Sequence, residues 1–175
     1  HSDDLSAKFL VFIIPLLDDA SGVIPTDIRI SGAFPRPDIN LTAKLNDTRI
    51  RIAPTQVTYQ LQGQVTGSQS RLDMGSIKVR DSLQGAGTIS GLIRLEGFNP
   101  KSVELSATCN NLLLYSKKDL KDDTSFGTIR GTTNWFRLYG DLSAPTAEGE
   151  FNVTSADFSL YRKGSNESVK YIGVE

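Results

Sequence analysis

Hydrophobic and polar residues alternate along most of this chain with a period of two. In the segment 57–65, Val, Tyr, Leu, Gly and Val occupy the odd positions, and Thr and Gln fill the even ones. The same alternation recurs over 28–34, 39–45, 89–95, 103–109 and 136–142. Successive side chains of a strand point to opposite faces, so each segment has one apolar and one polar face. No window of ten or more residues carries a 3.6-residue apolar stripe, so the pattern predicts an almost entirely β chain of about a dozen strands.

Turn-forming residues separate the predicted strands at short intervals. We expect breaks at Asn46-Asp47, Asp81-Ser82, Asn110-Asn111 and Ala144-Pro145, among other sites. Short connections favour hairpins over crossover helices, which predicts an antiparallel sheet. Several glycines, including Gly63 and Gly91, fall on the apolar phase. Interior glycines typically mark bulges, bends or close backbone approach, so they favour a sheet that curves toward its apolar face. A two-sheet sandwich with bent corner strands is an open alternative.

The most apolar stretch of the sequence is Phe9–Leu17. It has fewer than half of the ~20 residues that a membrane-spanning helix needs, and Pro15 interrupts it. Acidic residues flank it on both sides, which is atypical of a signal peptide. We interpret it as a buried strand or a short apolar segment of a folded domain.

Charge and composition argue against several classes of function. Lys and Arg number 19 against 20 Asp and Glu, for a net charge of −1, so no nucleic-acid partner is expected. The one cysteine, Cys109, cannot form an intramolecular disulfide, and the one histidine is His1. These counts remove most acid–base, triad and zinc chemistry. We therefore predict a protein that is not an enzyme, without catalytic residues, metal site or cofactor.

One aromatic cluster allows two interpretations. Trp135, Phe136 and Tyr139 could form a carbohydrate-stacking platform if Trp135 and Tyr139 share the face opposite Phe136. Packing in the core or at its rim is the simpler interpretation.

Two segments carry a family resemblance. The stretch 140–153, GDLSAPTAEGEFNV, combines a strand ending in Gly, an apolar residue two places on, a Pro five places on and a return strand. Residues 32–41 repeat this arrangement, with Pro37 five places after Gly32. The first stretch resembles the repeating signature of the TamB translocation-and-assembly family, which is related to AsmA-like proteins. Residues 77–93 are similar to that family's strand–turn–glycine segment, and the resemblance extends from Ile28 to about Tyr161.

The resemblance implies a fold and a cellular role. Members have curled antiparallel sheets, described as a β-taco or β-groove, with an apolar concave face. They form periplasmic bridges, anchored in the inner membrane and reaching the outer membrane. The implied function is to carry phospholipids between the two membranes, or to assist insertion of outer-membrane β-barrel proteins. We expect residues 1–175 to form a single β-groove domain, a piece of a longer periplasmic protein whose membrane anchor lies outside this chain.

The sequence analysis leaves three hypotheses. In the first, phospholipid acyl chains occupy a groove whose predicted lining comprises Ile28, Ile30, Ile39, Leu41, Val57, Tyr59, Leu61, Ile89, Ile93, Val103, Leu105, Phe136, Leu138, Phe151 and Val153. An apolar surface of this kind solvates acyl chains without any catalytic residue. In the second, an edge strand captures an outer-membrane assembly-factor barrel protein or its clients by strand addition. In the third, the chain is an extracellular sandwich, such as an adhesin or a carbohydrate-binding module, with a sealed core.

Overall fold

The structure is a computed structural model that describes residues 2–14, 16–33, 37–96, 99–117, 125–161 and 168–171. It contains one short helix, α1, Phe9–Ile13. The strands, in chain order, are β1 Ser2–Ser6, β2 Leu17–Ser21, β3 Val23–Ser31, β4 Asp38–Ile52, β5 Val57–Ser68, β6 Arg71–Asp73, β7 Ile77–Arg80, β8 Ala86–Glu96, β9 Asn99–Lys117, β10 Ser125–Asp141, β11 Thr146–Gly149, β12 Asn152–Tyr161 and β13 Ser168–Tyr171. The helix α1 is too short to cross a membrane, and the described residues contain no longer apolar helix.

All thirteen strands belong to one antiparallel sheet. Its order is β1-β3-β4-β5-β6-β8-β9-β10-β12-β13, so neighbours in the chain are mostly neighbours in the sheet. The short strands complete three rows: β2 continues β3 along β4, β7 continues β6 between β5 and β8, and β11 lies beyond β12 along β10. The prediction of an all-β, antiparallel chain is confirmed. The strong curvature and the apolar concave face stay predictions.

The strand register unites the apolar phases of separate strands. Ile89 lies opposite Ala107, and Ala107 lies opposite Phe136, so these three side chains leave the same face of β8, β9 and β10. Cross-strand neighbours of this kind are the unit of sheet stabilisation. The predicted alternation therefore yields one apolar face and one polar face in the central strands.

Two predicted breaks are wrong, because the strands continue through them as bulges. The strand β4 runs past Asn46-Asp47, and its register with β5 shifts between Leu45 and Thr48. Asp47 has a φ of 55°, and Asn111 in β9 has a φ of 49°. Asn and Asp tolerate this left-handed conformation in bulges as well as in turns. Before each bulge the residues on the apolar face have odd numbers, and after it they have even numbers.

The repeated Gly–Pro arrangement forms a turn and a return strand. After Gly140, residues 142–145 connect β10 to β11, which pairs antiparallel with β10. In the first copy, β3 and β4 also pair antiparallel, and the connecting residues 34–36, which include Phe34 and Pro35, lie outside the described part of the chain.

The core lies where the N-terminal segment packs against the sheet. Ala7, Ala20, Ile24, Leu45, Leu61, Ile77 and Val79 form one buried cluster. The helix α1 contributes Leu10 and Val11 to the edge of that cluster, whereas Phe9 and Phe12 are exposed. Of the two interpretations of Phe9–Leu17, the buried strand is wrong for residues 9–13, and a short apolar segment of a folded domain fits the structure. Residues 9–13 are helical and only half of the helix is covered, because one short turn presents side chains on all sides.

Gly91 shows why a glycine occupies the apolar phase of β8. Its φ is +134°, a conformation that L side chains rarely adopt. A Cβ atom at this position would overlap the backbone oxygen of Glu104 on β9 and lie 2.9 Å from the Cα of Leu105. The close approach of β8 and β9 therefore requires the missing side chain.

Candidate functional site: an apolar pocket

The apolar face contains a pocket of about 210 Å³ that crosses β4, β5, β7, β8, β9 and β10. Its lining is almost entirely aliphatic or aromatic and consists of Ile50, Ile52, Tyr59, Leu61, Val79, Gly87, Thr88, Ile89, Ala107, Thr108, Cys109, Leu112, Leu114, Thr133, Phe136 and Phe151. Several of these side chains, including Ile50 and Ile89, are only half-buried, and Phe151 is 41% exposed. The pocket therefore exposes apolar surface that the chain's own side chains do not fill.

Small residues in the middle strands create the pocket. One row across the sheet runs from Val79 to Gly87 and Cys109, and the next runs from Ile89 through Ala107 to Phe136. Gly87 and Ala107 sit between larger neighbours, so the centre of the face lacks side-chain volume. On the far side, Phe136 packs against Phe151 with their ring centroids 5.6 Å apart. Gly87 and Ala107 therefore form the floor of the pocket, and Phe136 and Phe151 form an aromatic wall at its β10 side.

The one tyrosine in the pocket directs its polar atom away from it. The Tyr59 hydroxyl donates to the backbone oxygen of Leu113 at 2.6 Å. Burial, and to a smaller extent the charges of Asp81 and Cys109, raise the pKa of Tyr59 to about 12. Since the hydroxyl is neutral and already bonded, Tyr59 presents its ring to the pocket. The hydroxyl of Thr133 is likewise used locally, donating to the Trp135 carbonyl oxygen at 2.7 Å.

The buried carboxylate of Asp81 connects the β7–β8 turn to the neighbouring strands beside this pocket. The Asp81 side chain is 0% exposed, and its two oxygens accept from the backbone N–H groups of Leu83 at 2.7 Å, Gly85 at 2.9 Å and Leu113 at 2.6 Å. The guanidinium of Arg130 lies 4.0 Å away and also donates to the backbone oxygens of Leu83 and Asn111. The group thus ties the β7–β8 turn to β9 and β10. The sequence analysis saw only a turn at Asp81, although the spacing of Asp81 and Gly85 is a signal of a capped turn.

Five of the fifteen predicted lining residues meet in this pocket, namely Tyr59, Leu61, Ile89, Phe136 and Phe151. Four others continue the apolar face beyond it, where Ile93 lies opposite Val103 and Leu105 lies opposite Leu138. Four form pairs between β3 and β4, where Ile28 lies opposite Leu41 and Ile30 lies opposite Ile39. The remaining two lie apart, Val57 opposite Ile52 and Val153 opposite Gly131.

Burial differs widely among these fifteen residues. Val57 and Val103 are fully buried, whereas Ile28 is 56%, Ile30 67% and Val153 61% exposed. The assignment of all fifteen to one lipid groove stays a prediction.

Part of the lining was not predicted. Ile50, Ile52 and Val79 alternate with charged residues in the sequence but are absent from the predicted lining, and Leu112 and Leu114 follow a bulge that was expected to be a turn. Gly87 and Ala107 could not be found from hydrophobicity, because they contribute space rather than apolar bulk.

The structure is that of an all-β protein whose sheet carries a partly exposed apolar pocket. The family described as TamB C-terminal domain matches residues 73–175, which is more than half of the chain. The chain belongs to the TamB family. No curated protein and no solved structure gives a significant match.

Family membership assigns the chain to a broad role. The TamB family comprises non-enzymatic transport or assembly proteins of the bacterial envelope, with a role in outer-membrane protein assembly or lipid transport. The matched residues include β7 to β13, which supply most of the pocket's floor and its aromatic wall.

Proposed function

We propose that the apolar face of this chain binds phospholipid acyl chains and carries them between the inner and outer membranes. The observation that supports the proposal best is the pocket of about 210 Å³ whose lining offers almost no free polar atom. Each acyl CH₂ buried there contributes about 0.8 kcal/mol without needing a hydrogen bond. If only a few CH₂ groups of one acyl chain are buried at a time, the acyl chain is transferred out of water but can still dissociate from the pocket and continue along the protein.

The surroundings of the pocket are compatible with a longer path. The apolar rows continue from Ile89 to Gly91 and Ile93 on β8, and from Ala107 to Leu105 and Val103 on β9. In this proposal the whole protein lies in the periplasm, is anchored in the inner membrane outside this chain and reaches the outer membrane. This segment forms one section of its conduit.

Filling the pocket tests the proposal. Ala107→Phe adds an aromatic ring to the floor between Ile89 and Phe136 without adding charge. Ala144→Phe is the matched control, because Ala144 is exposed in the turn between β10 and β11, outside the pocket. Phospholipid retained by the purified domain is measured by native mass spectrometry and lipid extraction, beside a β-sandwich protein expressed in the same way.

The two variants should separate. We expect Ala107→Phe to lower the retained phospholipid severalfold and Ala144→Phe to leave it unchanged. Equal retention by both variants, at the level of the unmodified chain, contradicts the proposal, as does retention no greater than that of the sandwich control.

A second candidate function, strand addition to a protein client, is favoured by one observation. Among the described strands, β11 pairs only with β10, so its other edge is unpaired, and all four of its residues are exposed. An exposed edge of this kind can take up an extended segment of an unfolded outer-membrane protein or of a barrel-assembly factor.

Site-specific photo-crosslinking distinguishes the two functions. A photoreactive residue at Thr146 on β11 should capture protein if strand addition operates. The same residue at Ile89 in the pocket should capture lipid if the conduit operates. Protein captured at Thr146 without lipid at Ile89 favours the second function over the first.

A further inference from the structure

The polar face behind the apolar pocket carries a second hollow, and six residues border both: Val79, Gly87, Thr88, Thr108, Cys109 and Thr133. It has a volume of about 640 Å³ and crosses β7, β8, β9 and β10, within the size range of ligand sites in proteins. Two rows of side chains cross it. Lys78 lies opposite Thr88, which lies opposite Thr108, and Arg80 lies opposite Ala86, which lies opposite Asn110. Four neighbouring strands span about 14 Å, which suits a short chain of sugar units.

Six of the twelve residues that line this hollow carry a hydroxyl or an amide, and the cations Lys78 and Arg80 lie at one end of it. Thr132 and Asn134 on β10 complete the polar lining. Thr132 bonds to the side-chain oxygen of Asn110 at 3.4 Å, which orients one amide of the row. Within the part of the chain that the structure describes, neither Lys78 nor Arg80 has an acidic side chain within ion-pair distance. Their charges are therefore available to a ligand.

Acidic groups around this face already have partners. Glu104 pairs with Arg94 at 3.2 Å, Glu148 accepts from the Tyr139 hydroxyl at 2.7 Å, and Asp47 accepts at 2.9 Å from the side chain of Gln60, which lies opposite Arg80. The hollow itself has no carboxylate among its lining residues. An anionic ligand meets positive charge and neutral hydrogen-bonding groups there.

An exposed tryptophan lies next to the hollow. Asn134 and Trp135 together oppose Thr108 of β9 in a bulge of β10 between Thr133 and Phe136, so Trp135 lies beside two residues that line the hollow, and it is 47% exposed. Tyr139 lies on the polar face, opposite Glu104, but Arg137 stacks over its ring at 5.4 Å. Trp135 is thus the aromatic surface available for stacking on an apolar sugar face.

We propose that this hollow binds a glycan chain that carries carboxylate groups. Arg80 and Lys78 bind the carboxylates, with Arg80 suited to a bidentate contact. The Thr and Asn side chains bind sugar hydroxyls, and Trp135 stacks on a ring. A neutral glycan lacks the carboxylates that would bind Arg80 and Lys78. A simple anion lacks both the sugar hydroxyls and the ring that would stack on Trp135. This site lies on the opposite face from the acyl-chain pocket and does not depend on the proposed transport function.

Trp135 is the only tryptophan of the chain, so its fluorescence reports directly on this site. The probe is a hexamer of galacturonic acid, compared with its fully methyl-esterified form and with inorganic phosphate. We expect a saturable fluorescence change with the acidic hexamer, binding about tenfold weaker for the methyl ester, and no saturable change with phosphate.

Variants complete the test. The double variant Lys78→Gln/Arg80→Gln should weaken hexamer binding at least about tenfold. Arg29→Gln is the matched charge control, because Arg29 is exposed, pairs with Asp27 and lies outside the hollow; it should leave binding unchanged. All three positions are exposed, and far-ultraviolet circular dichroism confirms that each variant folds. Any of four results overturns the proposal. They are the absence of a saturable signal up to millimolar hexamer, equal binding of the methyl ester, saturation by phosphate alone, and unchanged hexamer binding by the double variant.

Discussion

Replacing Asp81 by Ala is expected to destabilise the fold strongly, because the carboxylate satisfies backbone groups that water cannot reach. Of its three N–H donors, those of the buried residues Gly85 and Leu113 lose their acceptor, whereas Leu83 is exposed and can bond to water. An unsatisfied buried donor costs about 1–3 kcal/mol. The guanidinium of Arg130, largely buried, loses its neighbouring carboxylate as well. We expect a loss of about 3–5 kcal/mol, a large fraction of the usual 5–15 kcal/mol.

The assay is urea unfolding followed by circular dichroism, with Asp141→Ala as the matched control. Asp141 also stabilises a turn, accepting from the backbone N–H of Ser143 at 2.9 Å and from its hydroxyl at 2.8 Å. That turn is exposed, so water replaces the lost acceptor and no measurable change is expected. Asp81→Asn should fall between the two, because its amide keeps one acceptor and places a donor against Leu113. Equal stability of the two Ala variants would refute the argument from burial.

Three further predictions follow from single positions. In an alkaline titration by phenolate absorbance, the Tyr59 hydroxyl should ionise near pH 12, above the usual tyrosine pKa of 10. Its contribution to stability is complete below pH 10 and is lost as the pH rises through 12, and ionisation of Tyr59 near pH 10 would contradict its burial. In chemical unfolding, Gly91→Ala should lower the free energy of unfolding by at least about 2 kcal/mol, because the new Cβ overlaps β9. Gly75→Ala should leave it unchanged, because the space around that Cβ is open. Equal effects of the two substitutions would show that β8 can move to make room for the Cβ. Alkylation of Cys109, the only cysteine, should slow severalfold when a fatty acid occupies the pocket, and an unchanged rate would place the acyl chain elsewhere.

The all-β fold could be predicted from the alternation of hydrophobic and polar residues alone. A strand that buries one face shows this period of two in its sequence, whatever the order of the strands in the sheet. The same reasoning placed Ile89 and Phe136 on one face, and the register brings them together across Ala107. These results depend only on local geometry, which the sequence contains.

The pocket could not be predicted in the same way, because it depends on register and on missing volume. Asn46-Asp47 and Asn110-Asn111 fit a turn and a bulge equally well, and the choice is made by the strands on either side. Gly87 contributes to the pocket only because it lies between Val79 and Cys109. Asp81 gives no hydrophobic signal, although it connects three strands. Long-range pairing decides each of these cases.

The apolar pocket and the polar hollow share the same four strands, and this explains why small residues concentrate there. Ala86, Gly87 and Thr88 are successive residues of β8, and all three line the hollow, while Gly87 and Thr88 also line the pocket. A strand with short side chains leaves space on both of its faces at once. The two ligand sites can still be separated by substitution, since Ala107 lies on the apolar face and the neighbouring Thr108 on the polar one. Loss of lipid retention in Ala107→Phe with unchanged glycan binding therefore identifies two sites rather than one general loss of structure.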